Sequence, residues 1–196
     1  MSVSPFLDDV VLKSLTARDL KRVQDLHSLI LPVRYPTSFF LQLLVIPNRT
    51  CFVAYSQGHP VGFISAAIQK PIKCFTFSPP DNHPLVVPPE FQDSPAVLSS
   101  SQPIEILTLG VLPAYQKCGL ARRLVHFLVE SVRKESSCAT NSFGGTLIYA
   151  NVAASNTQAL EFYERIGMVV FSDVIRNLYR TLSSGSRDAY LVAGVL

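Results

Sequence analysis

The sequence predicts an α/β (α+β) fold of about seven strands and about four helices, and three observations carry that prediction. The first is an apolar run from Ile104 to Leu112 that gives way to a helical period beyond Pro113 and Ala114. A continuous apolar run of this length suits a strand covered on both faces. The second is a pair of apolar runs, Cys51–Ser56 and Pro60–Ile68, joined at Gln57-Gly58-His59, which reads as a hairpin with His59 exposed in the turn. The third is the alternation elsewhere of short apolar strands with amphipathic helical segments.

Taken in order, Val10 to Leu15 is the first strand. Thr16-x-x-Asp19 resembles a capping box for a helix with Leu20, Val23, Leu26 (or His27) and Ile30 on one face. His27 reads there as a solvated or packed helix residue rather than a ligand. Pro32 ends the helix. Leu31-Pro32-Val33-Arg34-Tyr35-Pro36 is then a stiff apolar turn, and a short helix follows through Phe39 to Val45. Beyond the hairpin, Lys70 to Gln102 is rich in Pro and Ser without a sustained period, which predicts a flexible surface insertion. The helix after the long apolar strand is expected from about Tyr115 to Lys134. Leu120, Leu124, Phe127, Leu128 and Val132 lie on one of its sides, and Arg122, Arg123, His126, Glu130 and Arg133 on the polar side. Ser136 to Gly145 is a loop and Thr146 to Val152 a fifth strand. Ser155 or Asn156 caps the next helix, which stops at Gly167. Met168 to Leu182 reads as a sixth strand with some irregularity, Ser183 to Arg187 as a hairpin loop, and Asp188 to Val195 as the last strand.

Composition narrows the function classes. A chain of 196 residues with 48% hydrophobic content is expected to form one domain with a sizeable core. The formal charge is +3 with no block of Lys and Arg, so nothing calls for a nucleic-acid partner. No apolar run is long enough to cross a bilayer, and the first residues lack the basic-then-apolar pattern of a secretory signal. Cys51, Cys74, Cys118 and Cys138 are scattered, as reduced cytoplasmic cysteines are, and no His/carboxylate cluster has metal-ligand spacing.

The chemistry concentrates in Pro103–Arg123. A helix start after a strand leaves backbone N–H groups unpaired and partly positive, a setting that binds phosphate oxygens. Small residues at Gly119 and Ala121 let an anion approach the backbone, and Lys117, Arg122 and Arg123 add positive charge. Taken alone, Gly119 and Ala121 favour an ordinary strand–helix junction with a packing glycine over an anion site.

Gln116-x-x-Gly119-x-Ala121 after an apolar strand matches a Gln/Arg-x-x-Gly-x-Gly/Ala signature, and Asn156 to Gly167 (NTQALEFYERIG) matches an Asn-x-x-Ala-x-x-Phe-Tyr-x-x-x-Gly segment. In these two segments the chain resembles the GCN5-related N-acetyltransferase (GNAT) superfamily, and the likeness covers most of the chain. The Leu31–Pro36 turn is similar to the Phe-Pro-Val/Ile-x-Tyr turn of protein N-alpha-acetyltransferases of the NatE catalytic-subunit type, with the NatF type next. Leu31 stands where they have Phe. The short stretch after the last strand favours the NatE likeness over a membrane-bound NatF.

The resemblance implies a GNAT fold over 1–196, a mixed and mostly antiparallel sheet, with acetyl-CoA as co-substrate and no metal. It implies coenzyme contacts at Leu109, Gly110, Val111, Gln116, Lys117, Cys118, Gly119, Leu120, Ala121, Arg122 and Asn156, with Gly110 marking a bulge that splays its strand. It places the acceptor peptide at Leu31, Pro32, Val33, Tyr35, Leu178 and Tyr179, and makes Tyr163 the general acid toward the coenzyme thiolate. The NatE and NatF types carry a tyrosine and a histidine where this chain has Glu105 and Asn151. The histone acetyltransferase branch places its general-base glutamate at the spacing of Glu105. Glu105 is accordingly expected to act as base, with Asn151 orienting a water. The expected reaction is acetylation of protein N-termini beginning with Met and an apolar residue, in the cytoplasm. Two alternatives stand beside it. One is a weakly active or inactive acetyl-CoA-binding subunit of a ribosomal NatA/NatE complex. The other is an acetyltransferase for lysine or small amines.

Overall fold

The computed structural model describes residues 9–69, 102–136, 145–179 and 187–196. Among them run seven strands and four α-helices: β1 (Val10–Ser14), α1 (Leu20–Ile30), α2 (Thr37–Val45), β2 (Arg49–Ser56), β3 (His59–Ile68), β4 (Ile104–Val111), α3 (Leu120–Ser136), β5 (Leu147–Ala153), α4 (Thr157–Arg165), β6 (Val169–Val170) and β7 (Ala189–Val195). The strands form one sheet in the order β1-β2-β3-β4-β5-β7-β6. Every neighbouring pair is antiparallel except β4 and β5, which are parallel. The mixed, mostly antiparallel sheet and the helix count agree with the fold expected from the sequence.

Local sequence accounts for the elements. The β2–β3 hairpin turns at Gln57 (φ 49°) and Gly58 (φ 76°), the two successive left-handed residues that a tight hairpin requires. Alternation buries two faces of the sheet. One face packs on α3 and α4 through Ile64, Ile104, Leu120, Leu124, Leu128, Ile148 and Tyr163. The other packs on α1 and α2 through Leu15, Val23, Phe40, Leu43, Cys51 and Val53. α4 stops where Gly167 adopts φ 89°, with its N–H bonded to the Glu164 carbonyl at 2.9 Å, as the glycine stop predicts.

Four expectations are corrected. α3 begins at Leu120, not near Tyr115: a 3-10 turn spans Pro113–Tyr115, and Lys117 and Gly119 take positive φ, which interrupts helical geometry. The sixth strand is only Val169–Val170, followed by an isolated bridge between Ile175 and Ala189. Between them the Ser172 hydroxyl, rather than a backbone carbonyl, accepts the Leu191 N–H at 2.9 Å, and beyond the bridge Asn177 turns the chain at φ 56°. The Thr16 hydroxyl donates to the Asp19 carboxylate at 2.7 Å instead of accepting from a helix N–H, so the capping box does not form. The irregularity in β4 lies at Leu107, not Gly110: Ser65 faces Thr108 while Ala66 faces Ile106, leaving Leu107 as the extra residue. The predicted insertion, except Gln102, and most of the predicted loops at 136–145 and 183–187 lie outside the described residues.

His27 is fully packed. It is 3% exposed, its ring stacks on Phe63 with centroids 4.3 Å apart, and Tyr35 and Phe40 meet it edge-on at 4.9 and 5.1 Å. Burial pushes its pKa down from 6.5 to about 4. A pKa lowered in the folded state favours folding with the neutral ring. That contribution is complete above the unfolded value of about 6.5 and is lost as pH falls toward 4, worth about 3 kcal/mol in all. In urea titrations at pH 7 and pH 4.5, wild type should therefore lose about 2–3 kcal/mol more than His27→Phe, which cannot titrate. Equal losses in the two proteins would mean that the imidazole is solvated.

Candidate active site

β4 and β5 stay together only briefly. Their parallel register covers Ile104–Ile106 against Ile148–Ala150, although the strands continue to Val111 and Ala153. The bulge at Leu107 sits where the pairing stops, and a bulge bends and twists its strand. Beyond it, the β5-facing edge of β4 has no ladder partner among the described residues. The parting opens into a cavity of about 1400 Å³ between Ile106–Val111 on one strand and Ala150–Ala153 on the other, closed further by α4.

One end of the cavity has the features of an anion cradle. Lys117 (φ 57°) and Gly119 (φ 92°) put left-handed turns into the loop between β4 and α3, which directs successive backbone N–H groups into a concave surface. The loop feeds the first turn of α3, whose N–H groups have no partner inside the helix. Gln116, Lys117, Gly119, Leu120, Ala121 and Arg122 all line the cavity there. The Gln116 amide holds the loop in place, donating to the Val111 carbonyl at 2.9 Å and accepting from Gln158 at 3.4 Å. Arg122 also lines the cavity, and its guanidinium donates to the Arg165 carbonyl at the end of α4 at 3.0 Å. Lys117, Arg122 and Arg165 outnumber Glu161 on this lining, so a phosphate-bearing group fits the donor set. Cys118 does not line the cavity; its thiol donates to the Tyr115 carbonyl at 2.8 Å.

The other end is apolar. Leu31, Pro32, Val33 and Tyr35 line it, with Tyr179 opposite. The Tyr179 hydroxyl donates to the backbone carbonyl of Asn151 at 2.6 Å. Burial first, and the neighbouring Tyr35 second, raise the Tyr179 pKa to about 12. Burial likewise raises Tyr35. Tyr163, on α4, is 5% exposed, and burial pushes its hydroxyl well above the usual phenol range, with Tyr179 adding to the effect. All three phenols keep their protons near neutral pH and serve as donors.

The sequence-predicted residues divide accordingly. Leu109, Gly110, Val111, Asn151, Asn156 and Tyr163 line the cavity together with both ends just described. Asn156 also caps α4, its side-chain oxygen accepting the Ala159 N–H at 3.1 Å. Gly110 is bare because a Cβ there would lie 2.5 Å from the Phe63 ring. Leu178 is 41% exposed and does not line the cavity. Glu105 does not line it either. It is half-buried on β4 opposite Tyr149, and its carboxylate accepts from the Gln69 amide at 3.3 Å. Tyr149 is held near pKa 12 by burial and then by the Glu105 charge, with a Gln69 hydrogen bond partly offsetting them. Sequence reasoning missed Thr108, Gln158, Phe162 and Arg165 on the lining. Gln158, Phe162 and Arg165 are spaced four and three residues apart, one helix face, and that signal is present in the sequence.

A model of the acetyltransferase (GNAT) family matches residues 20–168, most of the chain. The chain belongs to this family. An N-alpha-acetyltransferase of Saccharolobus solfataricus is 24% identical over 94% of this chain and 92% of its own length. Among solved structures, Arabidopsis thaliana NAA60 in complex with acetyl-CoA superimposes with a TM-score of 0.68 at 23% identity, covering 95% of this chain and 98% of that one. Arabidopsis thaliana Naa50 in complex with the bisubstrate analogue CoA-Ac-MVNAL superimposes with a TM-score of 0.66 at 22% identity, covering 96% and 99%. These likenesses place the chain's fold with theirs. Among the described residues no group of three or more His, Cys, Asp or Glu side chains is placed to hold a metal ion, and no helix is long and apolar enough to cross a membrane.

The donor set of the Gln116–Arg122 cradle suits a pyrophosphate such as that of acetyl-CoA, the ligand of the NAA60 structure. Gly119→Asp puts a carboxylate and a Cβ at a position with φ 92°, adding backbone strain and like-charge repulsion. Acetyl-CoA affinity should fall at least ~100-fold, about 3 kcal/mol, by isothermal calorimetry, with a smaller loss in Gly119→Ala, which adds only the strain. An unchanged affinity in a folded Gly119→Asp protein would remove the cradle as the pyrophosphate site.

Proposed function

We propose that the protein is an acetyl-CoA-dependent N-alpha-acetyltransferase acting on the N-terminal amine of proteins, with Met followed by an apolar residue as the favoured start. The observation that carries the reading is the parted β4–β5 pair, with the phosphate cradle at one end of its cavity and the apolar Leu31–Tyr35 turn at the other. A thioester lying along the parting meets an amine entering from the apolar end. Relatives named as N-alpha-acetyltransferases align over nearly the whole chain and add support.

The placement of the chain's residues supports the following roles. Backbone N–H groups within Leu109–Val111 stabilise the oxyanion that develops on the acetyl carbonyl. Tyr163, protonated and buried on the cavity wall, gives its proton to the departing thiolate. Leu31, Pro32 and Val33 hold the first side chains of the peptide, and Tyr35 and Tyr179 bracket them. The amine arrives as an ammonium and must lose a proton. Asn151 lines the cavity and has no basic atom. Tyr149 and Asn151 share one face of β5, and Glu105 stands opposite Tyr149. Glu105 is therefore one step behind Asn151, and takes the proton through water ordered by the Asn151 amide.

The proposed setting is the cytoplasm, on peptides emerging from synthesis. A specific observation favours a second reading: Glu105 is set back from the cavity and already engaged by Gln69. In that reading the chain is an acetyl-CoA-binding subunit with little turnover of its own, docked on a ribosomal N-acetyltransferase complex.

One assay separates the readings. Purified protein and Glu105→Gln are given acetyl-CoA with Met-Leu, Met-Ala, Ser-Glu and internal-lysine peptides. Acetylation of the Met-starting peptides is expected, with kcat falling ~100-fold or more in Glu105→Gln at unchanged acetyl-CoA affinity. Turnover indifferent to Glu105→Gln would remove it as the base. Coenzyme binding without turnover on any peptide would favour the subunit reading, and acetylation of internal lysine alone would change the acceptor.

A further inference from the structure

We propose that His27 is a positioning residue for the acceptor end of the cavity, locking the Leu31–Tyr35 turn to the bulged part of β4. The inference rests on the proposed acceptor pocket and extends it to a side chain that lines no part of the cavity.

His27 lies four residues before Leu31, in the last turn of α1, and the Leu31 N–H bonds to its carbonyl at 2.9 Å. Its side chain joins four other elements. The Nε2 atom lies 3.1 Å from the Thr108 hydroxyl on β4, and that hydroxyl lies 2.5 Å from the Ser65 hydroxyl on β3. The ring stacks on Phe63 of β3 and meets Phe40 of α2 edge-on. Its edge contact with Tyr35 is made at a centroid distance of 4.9 Å. Thr108 and Tyr35 both line the cavity, and both contact this imidazole. Thr108 is the residue directly after the bulge, and Phe63 occupies the space left by the missing Cβ of Gly110. One buried ring therefore sets the distance between the strand that carries the oxyanion donors and the turn that receives the peptide.

The imidazole is not a proton carrier in this arrangement. Desolvation holds it near pKa 4, several units below an amine, and its polar neighbours Thr108 and Ser65 are uncharged. What it supplies is fixed shape with one satisfied polar contact. Buried networks of this kind specify a single geometry when every member is paired, and a displacement of about 1 Å at a reacting centre costs up to ~100-fold in rate.

The test uses the full chain and separates the acceptor from the donor. His27→Ala is expected to raise the KM for a Met-Leu peptide at least ~10-fold while the acetyl-CoA dissociation constant stays within about twofold. His27→Phe keeps the ring and drops the nitrogen, and should recover most of that loss. Thr108→Val should raise peptide KM in wild type and have no further effect in His27→Ala. A peptide KM unchanged in folded His27→Ala overturns the proposal, as does a parallel loss of acetyl-CoA affinity, which marks general loosening. If His27→Ala does not fold, Thr108→Val and the pair His27→Phe/Thr108→Val decide by the same criteria. Absence of turnover in wild type would be a failure of the proposed function, not of this placement. The placement is then read from the Tyr35 ring resonances by NMR. Thr108→Val moves them in wild type, and not in a His27 variant, if His27 couples the two residues; unmoved resonances in wild type overturn it.

Discussion

The structure depends on the parting of two parallel strands in the middle of a sheet. A parallel pair with three residues in register is a weak seam, and opening it exposes backbone donors and acceptors that an uninterrupted ladder would satisfy. The rest of the fold makes that opening tolerable. β4 is secured on its far side by β3 along nearly its whole length, and β5 by β7 over seven pairs, so each half of the sheet is rigid without the other. α3 and α4 then bind the two halves from one face. The Gln116 amide connects the end of β4 to Gln158 on α4, and Arg122 on α3 reaches the last turn of α4. The open seam is thereby a fixed feature with a defined width, available to a ligand that brings its own amide groups.

The two ends of the seam do different electrostatic work. At the cradle, the left-handed residues Lys117 and Gly119 and the start of α3 concentrate partial positive charge without burying a full one. At the acceptor end the polar groups are phenols whose pKa values are raised by burial, so they donate hydrogen bonds and stay neutral.

Much of this was legible in the sequence. The apolar run Ile104–Leu112, the hairpin, and the glycine stop at Gly167 each rest on short-range physics, and they were readable for that reason. The loop–helix anion site was readable as a pattern, while its geometry was not. Lys117 takes a positive φ that its side chain disfavours, so the late start of α3 has no local signal. A glycine within a strand is compatible with a bulge, but Gly110 is bare to admit Phe63, a contact made across strands. His27 shows the same limit. A histidine on a helix face reads as solvated or packed, and only the tertiary arrangement surrounds it with Phe63, Phe40 and Tyr35. The short β6 was missed because a serine hydroxyl replaces a backbone acceptor, which no periodicity reveals.

Glu105 is where the local and the tertiary readings meet. In sequence it is the only charge in a strand otherwise fit for full burial, and such a charge needs either solvent or partners. The structure supplies polar partners, the Gln69 amide and the neighbouring Tyr149, on the side of the sheet packed by α1 and α2. Neither carries a positive charge, so the carboxylate is hydrogen-bonded without being neutralised. Its distance from the cavity bears on the proposed chemistry: proton removal by Glu105 requires water beside Asn151, an amide with no basic atom of its own.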